Sequence, residues 1–289
     1  MYLPDFDYYA PGTVAEVCAL LDELGPDARV LAGGTDLLIK MKNGVVAPSA
    51  LISLKNIPEL RGVRYEAGRG VVIGPTTSPS ELMNSPVLLE RYRSVSEAAH
   101  QMANNQIRNT GSIGGNLVNA IPSADLPPIL IALNASLTLT STITTRIVPV
   151  EEFFTGVSCC VLTGPEIVTE IVIPDQDTTG SCYLKMGLRR SGSLALVGSA
   201  VAVTMDGDTI VDSRVALGAV YPTPVRAKDA EDIVRGKVWT EELLDEAGEG
   251  AACCSLPISD IRGSSEYRRD MVRVFTKRAY RRAITEGHC

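Results

Sequence analysis

Two glycine-bearing segments, widely separated in the chain, limit what this sequence can become. The first reads Leu31-Ala32-Gly33-Gly34-Thr35-Asp36-Leu37. The second reads Thr110-Gly111-Ser112-Ile113-Gly114-Gly115-Asn116, and Asp125 follows ten residues after its last glycine. Glycine admits positive φ and lets backbone approach another group closely. Successive N–H groups in such a bend make a concave anion site. Thr110, Ser112 and Asn116 add polar side chains of small volume. Each segment therefore reads as a bend that wraps phosphate oxygens, and the two together could face both phosphates of one dinucleotide. Neither carries Gly-x-Gly-x-x-Gly after a strand, and neither ends in the Gly-Lys-Ser/Thr of a P-loop. The competing explanation is a plain turn for the glycines and a helix cap for Thr35, Asp36 and Asp125.

The flanking pattern places both bends at element ends. Thr13-Val14-Ala15-Glu16 has the form of a capping box, and Val14, Val17, Leu21 and Leu24 continue at helical spacing to a stop at Gly25. Strands expected at 29–32 and 50–54 make a small βαβ unit with Gly33-Gly34 at its apex. The runs 63–65 and 71–74, joined by Ala67-Gly68-Arg69-Gly70, read as a hairpin. Ser78 or Ser80 caps a short helix, and a longer helix is expected over 87–103. Pro127 and Pro128 suit the first turn of a helix over 126–133. Strands follow near 135–140, 143–148 and 166–174. The polar stretch 175–180 marks a domain boundary. Beyond it come antiparallel strands at 181–189, 194–205 and 209–220, with Asp206-Gly207-Asp208 as a tight turn, then helices at 226–235, 240–252 and 265–286. The last helix carries Arg268, Arg269, Arg273, Lys277, Arg278, Arg281 and Arg282. They read as a solvated face in preference to a docking surface, with Met271, Val274, Phe275 and Ala279 as the buried stripe. The expected fold is α+β. A two-lobed domain spans 1–176, with lobes of about 1–56 (the βαβ unit) and 57–176 (mixed α/β). A smaller domain, 177–289, is an antiparallel sheet with helices.

At 289 residues the chain exceeds one ordinary core, in keeping with two domains. A net charge of −7 argues against nucleic acid as the partner. No apolar run approaches the roughly 20 residues that span a bilayer, and the first residues lack the basic and apolar regions of a signal peptide, so no membrane insertion and a cytoplasmic location are expected. Seven cysteines without Cys-x-x-Cys spacing, and only two histidines, argue against a metal site. Cys159-Cys160 and Cys253-Cys254 read as reduced thiols. No nucleophile–base set is legible; His100 reads as a packed or surface histidine. That pattern suits a chain whose chemistry resides in a bound cofactor.

Ala32-Gly33-Gly34-Thr35-Asp36, Ser112-Ile113-Gly114-Gly115-Asn116 and Pro122-Ser123-Ala124-Asp125 resemble the FAD-binding signatures of the medium subunit of molybdenum hydroxylases, the carbon monoxide, xanthine and nicotinate dehydrogenase type. Lys185, Arg189-Arg190 and Gly263-Ser264-Ser265-Glu266-Tyr267-Arg268-Arg269 extend the resemblance over the whole chain. It implies FAD on this chain, held by Leu31, Ala32, Gly33, Gly34, Thr35, Asp36, Leu37, Thr76, Thr110, Ser112, Gly114, Gly115, Asn116, Asp125, Val168 and Lys185. Asp125 would accept from a sugar or ribityl hydroxyl. Lys185 would lie near the flavin ring, where a cation stabilises developing negative charge; a solvated strand lysine is the alternative. Thr76 with Thr77 would lie near the flavin or cap a helix. Gln106 and Arg108 brace the second bend. The family often has an acidic residue where this chain has Ser193, which leaves a local salt bridge in doubt.

The resemblance further implies a division of labour. A large subunit would hold the molybdenum cofactor and oxidise substrate, and a small subunit would carry two [2Fe–2S] clusters. This chain would receive their electrons on FAD and pass them to NAD or a quinone-linked carrier, in a dimer of heterotrimers. Some relatives carry an extra iron–sulfur cluster on an inserted cysteine-rich segment; no such segment appears here, and none is expected. Two rivals remain: a stand-alone flavin oxidoreductase with its own substrate, and a scaffold that has lost flavin. The first needs an acid or base that the sequence does not show, and the second is disfavoured by intact glycine segments.

Overall fold

Three parallel strands and two helices build the N-terminal lobe of the computed structural model, which describes residues 3–189 and 191–288; Met1, Tyr2, Arg190 and Cys289 lie outside the described residues. Its elements are β1 (Asp7–Tyr9), α1 (Val14–Leu24), β2 (Ala28–Leu31), α2 (Leu37–Lys42) and β3 (Ala50–Ser53), with sheet order β1-β3-β2. The capping expectation holds with one change of partner. Thr13 accepts from Glu16 N, while the Glu16 carboxylate accepts from Gly12 N at 2.7 Å. Gly25 ends α1 at φ 67°. Val17 and Cys18 pack on Ala28, Ala50 and Ile52 to form this lobe's core.

The second lobe opens with the hairpin β4 (Val63–Glu66) and β5 (Gly70–Ile73), then α3 (Pro79–Met83), α4 (Pro86–Arg91), α5 (Arg93–Gln101), α6 (Asn105–Thr110), α7 (Ile113–Val118) and α8 (Leu126–Ala132). It closes with β6 (Ser136–Thr140), β7 (Thr145–Pro149), α9 (Val150–Phe153), β8 (Phe154–Gly156), β9 (Cys159–Cys160) and β10 (Ile167–Ile173). Five strands pair antiparallel in the order β4-β5-β10-β6-β7. Ser78 caps α3 in a complete capping box with Glu81. The single helix expected over 87–103 is two. Tyr92, at φ −145° and ψ 62°, leaves the helical region and sends its hydroxyl to Pro174 O at 3.0 Å. The second glycine segment is also not a loop: two short helices, α6 and α7, meet at Gly111-Ser112.

The C-terminal strands β11 (Gly180–Met186), β12 (Val197–Asp206) and β13 (Thr209–Gly218) form an antiparallel meander. Then come β14 (Val225–Arg226), α10 (Lys228–Val234), β15 (Lys237–Val238), α11 (Glu241–Cys253) and α12 (Ser265–Glu286). The expectation of helices along this sheet is met on both faces. Cys182, Val201, Val203 and Val215 pack on α10, α11 and α12, while Tyr183, Ala200, Ala202 and Ala216 join the core of α5 and α8. That second face is made of small residues; a Cβ on Gly218 would meet Pro128 of α8 at 2.8 Å.

The buried stripe of α12 is Arg268, Val272, Thr276, Ala279, Tyr280 and Ala283, not the one built on Met271, Val274 and Phe275. The reason is polar. Ser199 and Ser213 of the sheet are buried, and they bond Thr276 Oγ1 at 3.0 Å and Tyr280 OH at 2.6 Å. A buried hydroxyl without a partner is costly, so hydroxyl-bearing residues take the inner face. Several basic groups of α12 pair with acids of α11: Lys277 with Glu241 and Asp245, Arg281 with Glu241, Arg273 with Glu249. Arg268 turns inward to Asp260 at 2.6 Å.

On the second-lobe surface, Glu166 accepts twice from Arg146, at 2.7 and 2.8 Å, and once from Thr163 N. Arg146 chiefly pulls its carboxyl from 4.5 down to about 2. A depressed carboxyl contributes stability above its ordinary value and loses it as pH falls through the folded one. Glu166→Gln is therefore expected to cost about 1 kcal/mol in denaturant unfolding at pH 7, with the difference from wild type shrinking as pH falls from about 4.5 and vanishing only below about 2.

Candidate cofactor site

The two bends lie against each other. A Cβ built on Gly33 would stand 1.9 Å from Thr110 O and 2.8 Å from Gly111 Cα, so only a hydrogen side chain allows this backbone-to-backbone approach. Gly34, at φ 70°, turns the chain from β2 into α2. Thr35 faces the other bend, with Oγ1 3.5 Å from where a Gly111 Cβ would sit. At the far end, Lys40 Nζ donates to Asn119 Oδ1 at 2.6 Å and ties α2 to the end of α7. Ala32 is exposed, and Leu31 and Leu37 are half-buried beside it.

The two bends differ in what they offer. Among the described residues, the N–H groups of Gly33, Gly34, Thr35 and Asp36 have no acceptor. These are four consecutive backbone donors free to meet an acceptor. Asp36 precedes α2 without capping it through its side chain. In the second bend the donors are largely spent, contrary to the expectation of a loop. Gly114 N donates to Pro75 O at 2.8 Å, Ile113 N to Thr77 O at 2.9 Å, and Gly115 N to Ser112 Oγ at 3.1 Å. Here the segment 75–77 acts as a floor, which brings Thr76 to the bend. Thr76 Oγ1 donates to Leu60 O at 2.7 Å; it caps no helix. Arg108 braces the preceding turn through His100 O and Met102 O, whereas Gln106 is exposed. Val168 pairs with Leu139 in the β10 ladder and buries its side chain in the sheet core.

Asn116 Oδ1 is buried and has no hydrogen-bond partner among the described residues. An orphaned buried acceptor is rare in a native fold and fits a ligand donor.

Asp125 does not cap α8. Its side chain accepts from Tyr183 OH at 2.9 Å and from Lys185 Nζ at 2.9 Å. Lys185 also donates to Gln101 O at 3.0 Å. Lys185 is thus not a solvated strand lysine; its side chain is 7% exposed and that of Asp125 8%. Burial pushes the Asp125 carboxyl above its ordinary value, opposed by the Lys185 charge and by donations from Lys185 and Tyr183. Sequence reasoning missed Tyr183 and Gln101. Tyr183 was within reach, since two residues before Lys185 on a strand lies on the same face. Ser193, where the resembled family often has an acid, closes its own turn by accepting from Leu188 N at 3.1 Å.

Comparison with known proteins fits this geometry. The profile described as FAD binding domain in molybdopterin dehydrogenase matches residues 4–176, and that of the CO dehydrogenase flavoprotein C-terminal domain matches 182–283. This chain belongs to the FAD-binding medium subunits of the molybdenum hydroxylases. It is 38% identical to the carbon monoxide dehydrogenase medium chain of Hydrogenophaga pseudoflava, over 96% of this chain and 97% of that one. It is 33% identical to the glyceraldehyde dehydrogenase medium chain of Sulfolobus acidocaldarius, over 97% and 99%. The solved carbon monoxide dehydrogenase of H. pseudoflava superposes with TM-score 0.94 at 38% identity, covering 98% of this chain and 99% of that chain. The quinoline 2-oxidoreductase of Pseudomonas putida 86 superposes at 0.93 and 30%, covering both chains fully.

This medium subunit is therefore an oxidoreductase subunit with an FAD-binding domain. Among the described residues, no helix is long and apolar enough to cross a membrane, and no three His, Cys, Asp or Glu side chains are grouped to hold a metal. The glycines of the site divide by role. Gly33 and Gly114 are packed against backbone, whereas a Cβ on Gly115 would meet only Ser112 Oγ, at 3.0 Å. Gly33→Ala should therefore lower stability by about 3 kcal/mol in urea unfolding, while Gly115→Ala should leave it within about 1 kcal/mol.

Proposed function

We propose that this subunit holds FAD across the two bends and relays electrons within a molybdenum hydroxylase complex. The observation that carries the reading is the docking of Gly33 on Thr110 and Gly111, beside four N–H groups without acceptors. Those N–H groups, from Gly33 to Asp36, would bind diphosphate oxygens. Asp36 would offer its backbone only, because a carboxylate repels phosphate. The orphaned Asn116 Oδ1 would accept from a cofactor hydroxyl or amine. Ser112, Thr110 and Thr76 line the second bend, Leu31, Ala32 and Leu37 flank the first, and Val168 would contribute backbone. Asp125 and Lys185 would stand at the flavin end, where the Lys185 ammonium holds positive charge beside the ring. Bound FAD exchanges electrons singly or in pairs, which suits a relay between one-electron clusters and a two-electron acceptor.

The relatives are medium chains by name, and from that follow the expected partners: a large molybdenum-cofactor subunit and a small [2Fe–2S] subunit, assembled as a dimer of heterotrimers. An external acceptor, NAD or a quinone-linked carrier, would take the electrons. The domains would divide as 1–176 and 177–289, and the complex would be cytoplasmic.

The test is flavin uptake by the full-length chain. Wild type should bind FAD stoichiometrically by fluorescence titration. Gly115→Val, which places bulk in the open side of the second bend while sparing the packed glycines, should weaken binding at least about 100-fold with the thermal melt retained. A folded wild-type chain that takes up no flavin overturns the reading.

A further inference from the structure

We infer that Tyr183 is a positioning residue for the flavin end of the site, acting through Asp125. The inference rests on the proposed placement of FAD beside Asp125 and Lys185. Tyr183 lies on β11, is 1% exposed, and spans the boundary between the N-terminal helices and the C-terminal sheet. Its hydroxyl donates to Asp125 Oδ1 at 2.9 Å, and Lys185 takes the other oxygen, Oδ2, at the same distance. The backbone of Tyr183 is itself clamped: Gln101 Nε2 donates to its carbonyl at 3.3 Å, and Gln101 O accepts from Lys185. Gly198 across the ladder has no side chain where a Cβ would stand 2.9 Å from the Tyr183 hydroxyl, so the ring has one seat.

The chemistry follows from what each group has left. A carboxylate has about four lone-pair sites, and Asp125 spends two of them on Tyr183 and Lys185. An ammonium has three N–H donors, and Lys185 spends two, on Asp125 and Gln101. One donor and two acceptor sites remain for a ligand. They keep a fixed direction only while Oδ1 is held by Tyr183. Burial pushes the Tyr183 hydroxyl well above its ordinary value, helped by the Asp125 charge, so it stays a donor throughout the working pH range. A hydrogen bond to a carboxylate favours its charged form. Tyr183 thus opposes the protonation that burial of Asp125 favours, and it holds Oδ1 while Lys185 holds Oδ2.

The elements packed on α8 include α5, with Arg93, Glu97 and His100; β13, with Asp212 and Arg214; β14, with Arg226; and α9, with Glu151 and Glu152. Arg214 bonds Asp212 and Gln176, and Arg226 bonds Glu231 and Glu151. Among the described residues, only Tyr183 and Lys185 bond the Asp125 side chain. The link to the bends is short: Gln101 precedes α6, about 9 Å long, whose far end is Thr110.

The experiment is FAD titration of the full chain from pH 5.5 to 8.5, for wild type, Tyr183→Phe, Asp125→Asn and the double variant. Wild-type affinity should be flat over this range. Tyr183→Phe should bind within about threefold of wild type at pH 8.5 and about tenfold more weakly at pH 5.5, because loss of one donor to a buried carboxylate brings its protonation into range. In the Asp125→Asn background, Tyr183→Phe should add no pH-dependent loss. A wild-type chain without FAD overturns this inference and the functional reading together. A wild type that binds FAD while Tyr183→Phe matches it at every pH overturns the inference alone. So does a loss that is uniform with pH, or one that is equally large in both backgrounds, since either marks a purely structural tyrosine.

Discussion

The contact between Gly33 and the Thr110-Gly111 backbone is the constraint on which the rest depends. It joins segments nearly eighty residues apart and brings main chain against main chain, with no room for even a methyl group between them. The parallel strands of the first lobe exist to aim the Gly33-Gly34 turn at this point. The α6–α7 break exists to receive it. The first bend leads into α2, and among the described residues its own N–H groups find no acceptor. A donor set of this kind is stable only if a ligand or water completes it. The local backbone thus carries an unsatisfied polar requirement, which an anionic ligand of the kind proposed would meet.

The second bend differs from the first. Its donors are consumed internally by Pro75, Thr77 and Ser112. The bend is tied down by these bonds, while among the described residues the buried Asn116 oxygen is left unpaired. One bend therefore supplies donors and the other supplies shape and an acceptor. A diphosphate with attached hydroxyl-bearing groups needs both.

The C-terminal sheet is not an appendage to this arrangement. Its β11–β13 face packs on α5 and α8 through alanines, glycines and Tyr183, and its polar residues Tyr183 and Lys185 reach Asp125 at the start of α8. The buried ion pair does not by itself argue for stability, since desolvation offsets much of its attraction. Its value lies in direction. A carboxylate held at both oxygens and an ammonium held twice have few orientations left. The two halves of the chain are thereby registered against each other at Asp125.

The sequence by itself determined the local events: the caps at Thr13 and Ser78, the hairpin at 63–74, the meander around Gly207, the full length of α12, and the first glycine segment as a bend with free donors. These follow from propensity and pattern over a few neighbouring residues. The break at Tyr92, the helical form of the second bend and the inner face of α12 were set by distant groups, namely Pro174, Pro75 and the buried serines of β12 and β13. The same is true of the site. Its glycines were legible because backbone geometry leaves a mark in composition. The engagement of Asp125 by Tyr183 was not, because a carboxylate before a proline-led helix looks like a cap until the other half of the chain is folded against it. Tertiary structure decides which partner a polar side chain takes, for burial makes the nearest well-aligned donor far more valuable than the nearest one in sequence.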